Sequence, residues 1–267
     1  MILMGIINLT PDSFYGPSRV WSDSGFDADA LQARIDDLLA RGCSILDLGA
    51  VSTRPGAEDV SEKEEWRRLR PALQPAAEAA SLDPAGSARR GTKNFGRGSA
   101  SVQPLRISVD TTRAAIVRRV FDEIGPFIVN DISAGEDDAQ MLATVAELGL
   151  PYVAMHKRGG PQSMDALTDY PEGVTAAVMQ YFREFEARAA EAGIADWILD
   201  PGFGFAKTSQ QNWQLLRDLQ QFRVFRRPIL AGVADKRFTK DPLFNGGDPS
   251  KAERLAVEGG ADILRIH

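Results

Sequence analysis

The stretch SILDLGAVSTRPGAEDVSEKEE, residues 44–65, contains the unit from which the fold can be inferred. Its first half is a short, nearly continuous apolar run, which is typical of a buried parallel strand. A polar loop with Ser52, Thr53, Arg54 and Pro55 follows. Ser61 and Glu64 then have the spacing of a capping box, which predicts a helix over 61–80. The stretch therefore predicts one strand–loop–helix unit.

The same unit recurs along the chain. Eight apolar runs predict strands at 2–8, 44–50, 105–111, 127–133, 151–156, 197–203, 228–233 and 262–267. Helical patterns lie between them at 27–41, 61–80, 112–124, 137–148, 172–193, 210–225 and 249–259. Eight alternating units predict an α/β fold, a (β/α)8 TIM barrel in a single domain over 1–267. The alternative is an open doubly wound sheet, which usually has fewer strands and a Gly-rich loop after the first one.

Two places interrupt the regular pattern. Residues 83–104 are rich in Gly, Ser and Ala and carry several basic side chains, which predicts a flexible basic insertion. Because it joins a helix to the next strand, a barrel would place it on the face opposite the active site. The sequence also stops at His267, the end of the eighth predicted strand, so we expect the barrel to lack its last helix.

The composition narrows the classes of function. The chain has 267 residues, of which 43% are hydrophobic and 25% charged, and its net charge is −6. This acidic balance disfavours broad binding to nucleic acid or to a membrane surface. The single cysteine, Cys43, excludes an intrachain disulfide and a cysteine-based zinc cluster. No signal peptide or membrane-spanning run is visible, so we expect a cytoplasmic enzyme or binding protein.

Polar side chains stand at the carboxyl ends of all the predicted strands, where TIM barrels hold their active sites. Arg54, Arg265 and His267, with Asn8 as an oxygen ligand, suit a pyrophosphate and its Mg²⁺. A second group suits the edge of a flat heterocycle with amino and carbonyl groups, and its members are Asp110, Asn130 and Asp200. Met155, Phe203 and Phe205 can pack on ring faces. The inferred ligand is a pyrophosphorylated heteroaromatic compound.

Seven segments of the chain carry a family resemblance: GIINLTPDSF (5–14), STRPGAEDVS (52–61), ISVDT (107–111), VNDIS (129–133), YVAMHKRGGPQSM (152–164), LDPGFGFAKT (199–208) and ILRIH (263–267). In sequence and in order they resemble the dihydropteroate synthase family, the pterin-binding barrel enzymes of folate synthesis. NLTPDS and STRPG together are the strongest signals, and the set covers nearly the whole chain.

The resemblance implies a transferase that condenses 6-hydroxymethyl-7,8-dihydropterin pyrophosphate with p-aminobenzoate, and a target of sulfonamides. It implies that Asp110, Asn130, Asp200 and Lys236 hold the pterin, and that Met155 and Gly232 are also substrate-binding residues. It further implies that Thr53, Arg54, Arg265 and His267 bind the pyrophosphate, that Asn8 ligates Mg²⁺, and that Pro55 and Phe205 line the p-aminobenzoate pocket. Asp110, Asp200, Lys236 and Arg54 are the implied catalytic residues. The expected partners are the two small-molecule substrates, and we expect no nucleic-acid or membrane partner.

The chain departs from the family pattern after the seventh strand. The family usually has Gly-x-Ser-Arg-Lys-Ser, whereas this chain reads GVADKRF at 232–238. Lys236 is kept, but the serine and arginine before it become Ala234 and Asp235, and the serine after it becomes Arg237. A homodimer through the late helices is implied by the family, and the short C-terminal part weakens that expectation. Two alternatives remain: a degenerate, non-catalytic pterin-binding paralogue, and a methyltetrahydrofolate–corrinoid methyltransferase. STRPG and Arg265/His267 argue against the methyltransferase, which has no use for a pyrophosphate cluster.

Overall fold

A computed structural model describes residues 1–10, 20–22, 25–52, 57, 59–82, 105–246, 248 and 250–267. The predicted loop residues Thr53, Arg54 and Pro55 lie outside these ranges, as does the predicted insertion at 83–104.

Eight parallel strands form the centre of the molecule. They are β1 (Ile2–Asn8), β2 (Ile45–Gly49), β3 (Arg106–Asp110), β4 (Ile128–Asp131), β5 (Tyr152–Met155), β6 (Trp197–Asp200), β7 (Leu230–Ala231) and β8 (Ile263–Ile266). The hydrogen-bonded order runs from β6 back to β1 and then through β8 to β7. A parallel bridge between Leu199 and Ile229 joins β6 to the segment before β7. The sheet therefore closes into the predicted (β/α)8 barrel.

Helices surround the strands. They are α1 (Ala28–Ala40), α2 (Glu62–Leu82), α3 (Ala114–Ile124), α4 (Met141–Leu148), α5 (Val174–Ala192), α6 (Ser209–Arg217), α7 (Pro242–Asn245) and α8 (Lys251–Glu258). The last described element is β8. The main core lies between the strands and this outer layer, where outward-facing strand residues such as Leu46, Leu48 and Val109 pack against the helices.

Three local features differ from the sequence prediction. The single helix expected over 210–225 ends at Arg217, and a 3-10 helix, Leu219–Phe225, follows. Leu219, Phe222 and Phe225 are buried and three residues apart, which matches the three residues per turn of a 3-10 helix. A short antiparallel pair, Trp21–Ser22 with Gly25–Phe26, was not predicted, because two-residue strands carry no periodicity. Finally, β7 is shorter than the run 228–233.

None of the helices in the described part of the chain is both long and apolar enough to cross a membrane.

Candidate active site

The polar site stands on an apolar floor inside the barrel. Seven strands contribute one side chain each to this floor: Met4, Ile45, Ile128, Val153, Ile198, Leu230 and Ile263. In a strand, residue i+2 faces the same side as residue i. The inward residues one step nearer the carboxyl ends are therefore Ile6, Asp47, Asn130, Met155, Asp200, Gly232 and Arg265. Four of the seven strands thus change from an apolar floor residue to a polar or charged one within two residues.

A small cavity at this level collects most of the predicted heterocycle-binding residues. Its lining residues are Asp110, Asn130, Ile132, Met155, Asp200, Phe203, Phe205, Gly232, Lys236 and Arg265. They come from β3, β4, β5, β6 and β8 and from the segments after β4, β6 and β7. Carboxylate and amide oxygens, a lysine, an arginine and two phenylalanine rings therefore line one space of about 20 Å³, and these are the groups that bind the edge and the faces of a flat polar ring.

Asp110 occupies the most charged part of this cavity. Its Oδ2 accepts a hydrogen bond of 2.9 Å from Nη2 of Arg265. Burial raises the pKa of Asp110 to about 7; Arg265 opposes the rise, and the neighbouring carboxyl groups of Asp47, Asp131 and Glu65 add to it. The Asp110 carboxyl group therefore changes its charge close to neutral pH.

Asp47 connects two of the cavity residues from below. Its Oδ2 lies 2.7 Å from Nε of Arg265 and 3.1 Å from Nδ2 of Asn130, and its Oδ1 lies 3.3 Å from the same amide nitrogen. The side chain is fully buried. The sequence analysis did not select Asp47. The signal was present, since a lone carboxylate inside the apolar run ILDLG is costly to bury without a partner.

Asp200 is held by the loop that follows β6. Its Oδ1 accepts a hydrogen bond of 2.8 Å from the backbone N–H of Gly202. Burial raises the pKa of this carboxyl group, while the Gly202 N–H and nearby Lys236, Arg265 and Lys207 lower it. Gly202 has φ +72°, and a Cβ there would lie 2.0 Å from the carbonyl oxygen of His156. Only glycine fits this close approach, so the turn that supports Asp200 depends on it.

Lys207 stabilises the same loop from inside. Its Nζ lies 2.9 Å from the carbonyl oxygen of Gly202, 3.0 Å from that of Phe205 and 3.0 Å from Nδ1 of His156. An ammonium has three N–H donors, and each finds a partner here. Burial lowers the pKa of Lys207 to about 7, with Asp200 opposing the change, and burial also lowers the pKa of His156. The neutral His156 therefore accepts at Nδ1.

Lys236 and Phe205 form one wall of the cavity. The Nζ of Lys236 lies 4.7 Å from the centroid of the Phe205 ring, a cation–π distance. The missing side chain of Gly204 makes room for the lysine stem, because a Cβ there would lie 3.2 Å from Lys236 Cδ. The wall therefore presents a cation beside an aromatic face.

The predicted anion-binding residues separate into those the structure describes and those it does not. Arg265 lies in the cavity, and His267 follows it at the end of β8. Burial lowers the pKa of His267 to about 4, and nearby Arg265 lowers it further, so its imidazole is neutral at pH 7. Thr53, Arg54 and Pro55 lie outside the described residues, and Ser52 and Ala57 on either side line a groove of about 1050 Å³. That groove shares Asp110 and Ile132 with the cavity.

Asn8, the predicted magnesium ligand, ends β1 in the row of the sheet that continues through Gly49, Asp110 and Asn130. In the described ranges no three His, Cys, Asp or Glu side chains cluster as a metal site. An amide oxygen at the barrel mouth fits Mg²⁺, since this ion usually keeps several waters and takes one or two protein oxygens plus substrate phosphates.

Asp235 and Arg237, two changed residues in the segment after β7, are exposed, and each forms an ion pair with an exposed partner. Asp235 has φ +55°, which aspartate tolerates better than most residues, and its Oδ1 lies 3.5 Å from Nζ of Lys240. Arg237 is exposed, and its Nη2 lies 3.3 Å from Oδ1 of Asp165. Lys236 between them still reaches the cavity. The charge reversal at Asp235 therefore does not remove the lysine from the site.

Comparison with known proteins assigns the chain to a family. The family model described as "Pterin binding enzyme" matches residues 4–84 and 97–267. The residues between the two matched segments, 85–96, fall within the predicted insertion. The dihydropteroate synthase of Synechocystis sp. is 37% identical to this chain over 279 residues, which cover 99% of this chain and 84% of the relative.

Solved structures give the same result. The dihydropteroate synthase of Yersinia pestis, in a sulfonamide drug complex, is 30% identical with a TM-score of 0.79 and covers 100% of this chain and 88% of its own. The Xanthomonas albilineans enzyme with 4-aminobenzoic acid is 31% identical with a TM-score of 0.75, and the match covers 100% and 87% of the two chains.

Proposed function

The chain belongs to the dihydropteroate synthase family of pterin-binding enzymes, and we propose how its residues divide the work of the reaction. It is a transferase that condenses 6-hydroxymethyl-7,8-dihydropterin pyrophosphate with p-aminobenzoate, giving 7,8-dihydropteroate and pyrophosphate. The observation that carries the residue assignment is the convergence of Asp110, Asn130 and Asp200 with Lys236 and Arg265 on one cavity.

The pterin ring occupies this cavity in our proposal. Asp110, Asn130 and Asp200 accept hydrogen bonds from its ring N–H and amino groups, and Lys236 donates to its carbonyl oxygen. Met155 and Phe205 pack against the ring faces, and Gly232 leaves room beside Arg265. The apolar floor below excludes water from the ring's inner edge, which strengthens each of these hydrogen bonds.

The pyrophosphate lies towards the mouth. Arg265 and the imidazole of His267 bind it from β8, and Thr53 and Arg54 bind it from the loop after β2. The guanidinium groups match phosphate oxygens in pairs, which makes arginine well suited to this task. Asn8 would hold Mg²⁺ together with phosphate oxygens; when bound, the ion supplies positive charge that favours departure of the pyrophosphate.

The chemistry is a substitution at the pterin CH₂ group. The C–O bond to pyrophosphate ionises because the electron-rich ring spreads the developing positive charge. The carboxyl groups of Asp110 and Asp200 stabilise that charge, and Arg54 and Arg265 stabilise the leaving group. The amine of p-aminobenzoate then attacks the carbon and loses a proton. No side chain has to act as a covalent nucleophile.

The second substrate binds nearer to the surface. We assign its pocket to Phe205 and Pro55, so the loop after β2 would shape it and exclude water when it closes. The Yersinia pestis relative carries a sulfonamide drug and the Xanthomonas albilineans relative carries 4-aminobenzoic acid. Sulfonamides are therefore proposed to compete for this pocket here as well.

The remaining partners follow from composition. A net charge of −6 disfavours broad binding to nucleic acid or to a membrane surface, and we propose a cytoplasmic enzyme whose partners are its small-molecule substrates. A homodimer stays a proposal that rests on family membership alone.

Pyrophosphate release tests the function. The purified chain is mixed with the pterin pyrophosphate, Mg²⁺ and p-aminobenzoate, and release is followed with and without p-aminobenzoate. Turnover that depends on p-aminobenzoate supports the proposal. Tight pterin binding without turnover would identify a non-catalytic paralogue instead, which is the outcome that the change at Asp235 makes worth testing.

A further inference from the structure

Asp47 lies beneath two residues that the proposed function assigns to the substrate. It is fully buried and does not line the cavity itself. Its carboxylate accepts from Nε of Arg265 at 2.7 Å and from Nδ2 of Asn130 at 3.1 Å. Removing a carboxylate from water costs free energy, and hydrogen bonds inside the protein have to offset that cost. For Asp47 these hydrogen bonds come from Arg265 on β8 and Asn130 on β4.

The carboxylate determines which way the Asn130 amide faces. An ionised carboxylate only accepts hydrogen bonds, so the Asn130 group that points at Asp47 is its NH₂. The Asn130 carbonyl oxygen then points away from Asp47, towards the cavity that this residue lines. An amide does not ionise near neutral pH, so the polarity that Asn130 offers to a ligand is set by its neighbour.

The two carboxyl groups that line the cavity, those of Asp110 and Asp200, are also held by hydrogen bonds from the protein. Asp110 uses Oδ2 for Arg265, and Asp200 uses Oδ1 for the N–H of Gly202. These hydrogen bonds use one oxygen of each carboxyl group. Asp110, Asp200 and Asn130 all line the cavity, so the three residues can present oxygen acceptors to one ligand.

We propose that Asp47 is a positioning residue for ligand selectivity: it holds Asn130 with its oxygen facing the cavity, so that the site selects rings with N–H and amino donors over analogues with a carbonyl group in their place. This inference rests on the proposed function, because it takes the pterin as the occupant of the cavity.

Asp47→Asn reverses the arrangement with little change in size. The new amide oxygen can take the Oδ2 position and still accept from Arg265, and its NH₂ then takes the Oδ1 position, 3.3 Å from Nδ2 of Asn130. Two N–H groups then oppose each other there, which favours an Asn130 turned with its NH₂ to the cavity. The probes are 6-hydroxymethylpterin, which has a 2-amino group, and 6-hydroxymethyllumazine, which has a 2-oxo group. Binding is measured by calorimetry with pyrophosphate and Mg²⁺ present.

We expect the wild type to prefer the pterin. Asp47→Asn should weaken pterin binding by about ten- to a hundredfold, the usual cost of one mismatched buried hydrogen bond, and should reduce the preference over the lumazine. The double variant Asp47→Asn/Asn130→Asp restores an acceptor at position 130 at unchanged net charge, so it should recover the preference.

Asp131→Asn is the matched control. Asp131 is also fully buried and on β4, but it bonds to Tyr152 and Ser133 and does not line the cavity. Its replacement should lower the unfolding midpoint and leave the pterin preference intact. A folded Asp47→Asn with the wild-type preference overturns the inference, as does a double variant that binds both probes equally.

A crystal structure of the wild type with 6-hydroxymethylpterin provides a check that needs no variant. A ligand N–H or amino group must contact Asn130, and a ligand carbonyl at that position overturns the inference. If the wild type binds neither probe, the proposed function fails first, and the inference fails with it. Wild-type binding without an effect of Asp47→Asn rejects the inference alone.

Discussion

The Nζ of Lys207 lies 3.0 Å from Nδ1 of His156, deep under the loop that carries Asp200 and Phe205. Two cation-forming side chains in contact cannot both be charged without large cost. Because burial lowers the pKa of Lys207 to about 7, the folded state binds fewer protons than the unfolded state between about pH 7 and the ordinary lysine value of 10.5. The contribution of Lys207 to stability therefore rises with pH across that window and is lost as pH falls through about 7.

Replacing Lys207 with Met removes this pH dependence. The free energy of unfolding, measured in urea from pH 6.5 to 9, should rise more steeply with pH in the wild type than in Lys207→Met. The variant should also be less stable at pH 9, since the carbonyl oxygens of Gly202 and Phe205 lose the Lys207 amine as their donor. Lys240→Met, at an exposed lysine, is the control with the wild-type slope. Parallel curves for wild type and Lys207→Met would contradict the assignment.

The raised pKa of Asp110 leads us to expect that catalysis depends on pH. Burial raises its pKa to about 7, and the ionised form is the one that stabilises positive charge on the pterin. The value of kcat/KM should therefore increase with pH around a midpoint near 7. Asp110→Asn should lose at least about a hundredfold in kcat/KM and should lack this limb of the profile. A wild-type profile that is flat from pH 6 to 8 would exclude the role.

Adding one methyl group at Gly202 is expected to lower the free energy of unfolding strongly. Gly202→Ala combines φ +72° with a clash against the His156 carbonyl oxygen. It should destabilise the fold by about 3 kcal/mol and reduce turnover, because the turn that donates to Asp200 must move. Gly246→Ala is the matched control, since Gly246 has φ +66° and open space around its Cα. That control should cost about 1 kcal/mol. Equal costs, measured by chemical denaturation, would show that the close approach does not matter.

Asp235 predicts that the divergent segment weakens anion binding slightly. Its carboxylate acts on His267, where it opposes the lowering of the pKa. Asp235→Asn should lower KM for the pterin pyrophosphate up to about fivefold at low salt, with less effect at high salt, because the group is exposed and screened. Asp165→Asn removes another exposed carboxylate and should leave KM unchanged. If KM is the same in Asp235→Asn, the charge reversal has no catalytic consequence.

Arg54 predicts a turnover defect. Arg54→Ala should reduce kcat for pyrophosphate release by at least about a hundredfold, since a cation that stabilises the leaving group acts mainly in the transition state. Binding of the pterin alone, without pyrophosphate, should be nearly unchanged and serves as the control. Near-normal turnover would refute the role.

The sequence predicted the barrel because its strands are nearly continuous apolar runs separated by helical patterns. It also selected cavity residues such as Asp110 and Asp200, since polar side chains at strand ends converge in a barrel. For Asp47 the sequence held only half of the signal, a lone carboxylate in the apolar run ILDLG. Its role could not be predicted, because its partner Arg265 is 218 positions away and a continuous apolar run does not reveal which side chains face inward. Likewise, the three-residue spacing of Leu219, Phe222 and Phe225 identifies a 3-10 helix only when the structure shows that all three side chains are buried.

The seven apolar side chains of the floor have a consequence for the order of events. They close the amino-terminal end of the barrel, so both substrates enter and both products leave through a single entrance. In the proposed arrangement the pterin lies deepest and p-aminobenzoate lies above it. A molecule of p-aminobenzoate that arrives first obstructs the way in, and steady-state kinetics should therefore show compulsory-order binding with the pterin pyrophosphate leading.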